Sequence, residues 1–141
     1  MRKRSLPMML SAAVYLTALF LFTVFRRGCF THPLCSGRLC LLPGVAYRDL
    51  ISWGSYGRAA WLFFGNIAFF VPLGLWLGIR GRGFCRCLLT GLALSLLIEA
   101  GQYLLGTGIS ETDDLLLNTL GALLGLGLYR LFQRIKRKCE G

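Results

Sequence analysis

Six polar side chains stand within or at the edges of long apolar runs: Asn66, Glu99, Gln102, Asp113, Asp114 and Asn118. Hydrocarbon makes each costly unless it faces protein or water, so in such runs these residue types mark a binding site, a proton path or a bond between helices. Glu99 is ionisable, and no basic residue is placed at its depth. It reads as a protonated carboxyl bonded to Asn66 or Gln102, as a proton acceptor, or as a ligand for a cation or a cationic headgroup. For Asn66 and Asn118, ordinary interhelical hydrogen bonding stands beside the functional reading.

Ser110-Glu111-Thr112-Asp113-Asp114 is an acidic cluster directly before an apolar run. Ser110 or Thr112 can cap a helix starting there, and the helix dipole favours carboxylates in its first turn. Alternatively, Glu111, Asp113 and Asp114, with Glu99 beneath, offer oxygen ligands suited to Mg²⁺, Ca²⁺ or a basic group. No motif demands a resident metal or cofactor, and neither is assigned. The chain has no G-x-S-x-G elbow, H-E-x-x-H helix, P-loop or dinucleotide fingerprint. Its single histidine, His32, leaves histidine-based hydrolysis little to work with, and Cys29-x-x-His32-x-x-Cys35 matches no strong zinc spacing.

The elements that must carry these residues follow from composition. The chain is 55% hydrophobic and 16% charged, against roughly 25% charged in soluble domains. Its apolar residues are blocked into runs and do not alternate between helix faces. This reads as an all-α, polytopic integral membrane protein with four transmembrane helices in a compact bundle, at 8–25, 59–79, 87–105 and 115–132. At 1.5 Å per residue such runs reach about 27–32 Å, which matches a hydrocarbon core of about 30 Å. The first run follows Arg2, Lys3 and Arg4 but ends without a small-residue cleavage site, so it reads as an uncleaved anchor.

Sixteen Lys and Arg against six Asp and Glu give a net charge of +10. The basic residues gather at the ends of apolar runs, which makes the excess topological and argues against a nucleic-acid partner. Eleven of them fall on the side of both termini, which places the termini in the cytoplasm, with Arg26 and Arg27 as the contrary signal. Asn66, Glu99, Gln102, Asp114 and Asn118 then converge in the outer half of the membrane from three helices, Asn66 lying about 10 Å deep. Cys29, Cys35 and Cys40 share the outer loop, where at most one disulfide can form, and Cys85, Cys87 and Cys139 face the cytoplasm.

Gly74-x-x-x-Gly78 and Gly121-x-x-x-Gly125 have the spacing that lets helix backbones approach, and the second continues the face of Asp114 and Asn118. Pro72 removes a backbone hydrogen bond from its helix and frees a carbonyl one turn earlier. The outer loop, 26–58, has no sustained period beyond a short interfacial helix around 47–56. Three regions result: an anchor with its outer loop at 1–58, a three-helix region at 59–132, and a basic cytoplasmic tail at 133–141.

Asn66 in NIAFFVPLG, Glu99 and Gln102 in LIEAGQYLL, and Asp113, Asp114, Asn118, Gly121 and Gly125 in ETDDLLLNTLGALLG together resemble the VanZ-like family, over about residues 61–127. The resemblance implies a small helical protein of the bacterial cell membrane, in a family whose founding member is associated with low-level resistance to teicoplanin and related lipid-bearing glycopeptides. Membrane lipids, a lipophilic glycopeptide or a lipid-linked cell-wall precursor are the partners it implies. The family commonly carries an Arg several residues before the Asp pair, where this chain has Gly108 or Ile109, so Glu99 lacks that partner. The leading reading is an outer-leaflet polar pocket, without assigned catalysis, that serves glycopeptide resistance or cell-envelope homeostasis. The alternatives are a carboxylate-based, metal-assisted enzyme acting on a lipid headgroup and an ion-coupled transporter subunit.

Overall fold

A computed structural model of the chain describes residues 6–24 and 38–140. Along the chain run α1 (Leu6–Val24), β1 (Arg38–Cys40), α2 (Val45–Ser52), α3 (Tyr56–Ile79), α4 (Phe84–Leu105), β2 (Ile109–Glu111) and α5 (Thr112–Glu140). The architecture is helical, as expected. Three of the described helices, α3, α4 and α5, are long and apolar enough to cross a membrane, while the apolar part of α1, Leu10–Val24, is shorter.

The ends of these helices follow from local chemistry. At the end of α4, Gly106 adopts a left-handed conformation (φ 62°), the Thr107 N–H bonds to the Gln102 carbonyl at 3.1 Å, and the Gly106 N–H bonds to Tyr103 at 3.3 Å. This pair of bonds satisfies carbonyls left over at a helix end, and the positive φ favours glycine. Gly81 ends α3 in the same way, with Arg82 N–H to Leu77 at 2.9 Å. α5 runs unbroken from the membrane segment through the basic tail to Glu140.

α3 and α5 lie against each other along their glycines. A methyl at Gly74 would run into the Ala122 carbonyl, one at Gly121 into that of Ile67, and one at Gly125 into that of Val71. Gly78 makes room for the Tyr129 ring. α4 packs beside them, with Cys87, Gly91, Ser95, Ile98, Glu99 and Gln102 on its buried face. The apolar core consists of Phe70, Leu73 and Leu77 of α3, Ile98 and Cys87 of α4, Ala122 and Leu126 of α5, and Leu19 and Val24 of α1.

α1 joins through side chains. The Tyr15 hydroxyl donates to the Phe69 carbonyl at 2.6 Å and lies against the Leu73 N–H, in the stretch of α3 that Pro72 interrupts. Phe20 and Val24 lie within 3.5 Å of the position a side chain would take at Gly101.

The sequence pattern did not anticipate one element. β1 and β2 form a two-stranded parallel pair in the register Arg38–Ile109, Leu39–Ser110 and Cys40–Glu111. This pair brings part of the loop between α1 and α3 onto the segment between α4 and α5. α2 follows at once and is the short helix expected in this loop, shifted to Val45–Ser52, with Tyr47 edge-on to Phe63 of α3 at 6.2 Å.

Candidate functional site

The polar residues meet at the end of the bundle formed by the C-terminus of α4 and the N-terminus of α5. Asn66, Glu99, Gln102, Glu111, Asp114 and Asn118 are all buried there. The glycine seam between α3 and α5 sets the first contact, in which the Asn66 amide donates to the Asp114 carboxylate. One turn along α5, the Asn118 amide donates to the Ser95 hydroxyl of α4 at 2.9 Å. These bonds tie three helices together through buried side chains.

Of the readings left open for Glu99, the bond to Asn66 or Gln102 is not formed: the Asn66 amide donates to Asp114 and the Gln102 amide to Thr23. Glu99 Oε2 accepts the backbone N–H of Glu111 at 2.9 Å. The Ser110 side chain bonds to the same carboxyl, and the carboxyls of Asp114 and Glu111 act on it electrostatically. Its Oε1 has no hydrogen-bond partner among the described residues. Gln102 reaches away to α1, donating to the Thr23 carbonyl at 2.9 Å, and its own Oε1 has no partner among the described residues. Thr107, 1% exposed, has an equally unpartnered Oγ1.

Asp113 takes a different part. One residue along a helix is a rotation of about 100°, which turns it from Glu99 toward the loop between α1 and α3. Both of its oxygens accept the Gly44 N–H, at 2.8 and 3.0 Å. Thr112 donates its hydroxyl to the Leu41 carbonyl at 3.1 Å. The Thr112 hydroxyl therefore clips the loop between α1 and α3, and the Ser110 side chain meets Glu99, where helix capping was one of the two readings of this cluster. β1, Leu41 and Gly44 together form a strap over the cluster.

Among the described residues, no three of His, Cys, Asp and Glu are grouped to hold a metal ion. The cation cage of Glu111, Asp113 and Asp114 over Glu99 does not assemble, since Asp113 is bound to the strap. Glu111 and Asp114 make further polar or electrostatic contacts. A side chain placed at Gly108 would meet the Gln102 side chain at 3.5 Å.

Cys40 is a free, half-buried thiol at the end of β1, and Cys85, Cys87 and Cys139 are free as well. Cys29, His32, Cys35, Arg26 and Arg27 lie outside the described residues. Tyr15, Thr23, Ser95 and Thr107 were not singled out from sequence. Ser95 had a legible signal, because it stands one turn before Glu99 on the face shared by Gly91 and Gln102.

A family model described as VanZ/LLP1 matches residues 9–133. Protein VanZ of Enterococcus faecium is 37% identical over 68 residues, which cover 47% of this chain and 42% of that protein. The chain thus matches less than half the length of that relative. No solved structure matches.

Proposed function

The chain belongs to the VanZ/LLP1 family, and on that premise we propose that it is a multi-pass bacterial cell-membrane protein whose Glu99-centred cluster serves teicoplanin-type glycopeptide resistance or cell-envelope homeostasis. α1 supplies a fourth span, since its 19 residues rise about 28 Å, close to a core of about 30 Å. Both termini are cytoplasmic by the distribution of Lys and Arg, which puts the cluster in the outer half of the membrane. Asn66, Gln102, Asp114 and Asn118 orient the cluster, and Asp113 holds the strap.

The observation that carries this reading is the set of buried oxygens left without partners among the described residues: Glu99 Oε1, Gln102 Oε1 and Thr107 Oγ1. Groups that serve only to join helices spend their polar atoms on one another, as Asn118 and Ser95 do. An unmet buried acceptor costs about 1–3 kcal/mol. Amide, hydroxyl or ammonium donors of a glycopeptide, or of a lipid-linked cell-wall precursor, satisfy such atoms. The ligand enters as the strap lifts from Thr112 and Asp113.

The test is the susceptibility of a sensitive Gram-positive host expressing wild-type protein or Glu99→Gln at matched membrane levels. Protection against teicoplanin but not vancomycin, absent in Glu99→Gln, is the expected result. Equal protection by both forms removes Glu99 from the function, and no protection by either separates this chain from glycopeptide resistance.

A further inference from the structure

The opposite end of the bundle carries a feature of different chemistry. Between α1, α3 and the start of α4 lies a cavity of about 610 Å³ whose lining includes Arg80, Arg82 and Arg86. It shares Leu16, Trp76, Leu89 and Thr90 with a second cavity of about 430 Å³ that reaches Leu97. The two form one groove, with guanidinium groups at its mouth and an almost wholly apolar floor. From Arg86 to Leu97 it follows α4 for about 16 Å at helical rise, close to half of a hydrocarbon core of about 30 Å. Its depth is that of one lipid leaflet.

Three further observations concern the mouth. The Trp76 indole lines the groove, and its Nε1–H is buried without a hydrogen-bond partner among the described residues. Tryptophan favours the headgroup level of a bilayer. Arg80 stacks over the same ring at 4.7 Å. α4 begins beside the mouth with no acidic residue in its first turn and no side-chain cap, so the positive end of its dipole adds to the field of Arg82 and Arg86.

We infer that this groove is a binding site for an anionic phospholipid of the leaflet at that end, with one acyl chain along α4 past the Trp76 ring and the phosphate between Arg82 and Arg86. Basic pockets between helices suit lipid phosphates, and the apolar floor has no use for a free inorganic anion. A second copy of this chain is a poor occupant, because its own segments at this end, the 80–86 turn and the 130–138 tail, are basic and repel the arginines. The site is independent of the Glu99 cluster and of the ligand proposed for it.

The test uses the full chain carrying Trp53→Phe and Trp61→Phe, both replacements at exposed positions, so that Trp76 is the remaining tryptophan. In vesicles of mixed composition, brominated phosphatidylglycerol should quench Trp76 with an apparent affinity at least about five-fold above that of brominated phosphatidylcholine. Adding Arg82→Gln and Arg86→Gln should reduce that preference below about two-fold. Equal quenching by the two lipids in the unsubstituted groove means ordinary annular lipid and overturns the proposal. A preference that survives removal of both arginines overturns the site, and millimolar inorganic phosphate that displaces the brominated lipid overturns the choice of lipid over free anion. Native mass spectrometry of the wild-type chain, which should retain phosphatidylglycerol over phosphatidylcholine, gives a readout independent of whether the variants insert.

Discussion

The two seams of this bundle are built on opposite principles. α3 and α5 touch backbone to backbone: Gly74, Gly121 and Gly125 leave no room for even one methyl group. α1 is held by the reach of side chains, Tyr15 to the Phe69 carbonyl and Gln102 to that of Thr23, and it leaves a groove beside Trp76. A seam without side chains has one register, so it places Asn66 against Asp114 reproducibly. A seam of long side chains tolerates adjustment, and there a lipid tail can lie. The difference divides the molecule into a rigid pair that defines the polar cluster and a more adaptable helix that closes it.

The largest effect expected in this contrast is at Gly125. Gly125→Ala forces a methyl group against the Val71 carbonyl and should cost about 1–3 kcal/mol or more, because backbone cannot yield as a side chain can. Gly127→Ala, two residues away with open space around it, should instead raise stability by about 0.5–1 kcal/mol. Reversible unfolding of both variants in detergent checks the pair, and equal effects would remove the distinction between the seams.

Tyr15→Phe probes the other seam. It should cost about 0.5–1.5 kcal/mol in the same assay, because the Phe69 carbonyl loses its donor from α1. A smaller coupling, about 0.6 kcal/mol, is expected between Ser95→Ala and Asn118→Ala in a double-mutant cycle, in line with polar pairs between membrane helices. Asp113→Ala should change stability least, by less than about 0.5 kcal/mol. It should nevertheless speed modification of Cys40 by a membrane-impermeant maleimide several-fold, since Asp113 holds Gly44 and with it the end of the strap. Unchanged labelling would mean that strand pairing and the Thr112 hydroxyl hold β1 without help from Asp113.

Which parts were legible in the sequence follows from how far each signal extends. The long apolar runs matched α3 and α4 to within three residues at each end, because Gly81 and Gly106 stop those helices with local backbone chemistry. That Asn66, Glu99, Gln102, Asp114 and Asn118 share one end of the bundle could be read from helical rise alone. Their partners could not. Asn66 bonds to Asp114 and Gln102 to Thr23 because of how the glycine seam and α1 are rotated, and rotation is a tertiary property. Asp113 and Asp114 look equivalent as neighbours in a chain, yet a turn of about 100° sends one to the strap and the other to Asn66. The β1–β2 pair left no trace, since three-residue strands are too short to show an alternation and these are joined across some seventy residues. Tyr15 left no signal in the sequence: Pro72 frees the carbonyl of Ala68, four residues back, whereas Tyr15 donates to that of Phe69.

The central claim is that Glu99 is present for function and not for holding helices together. The most direct test measures unfolding stability and teicoplanin protection on the same Glu99→Gln preparation. Gln can still accept the Glu111 N–H, so the account predicts stability within about 1 kcal/mol of wild type together with loss of protection. Protection that persists at full level, or that falls only in proportion to lost stability, would contradict it.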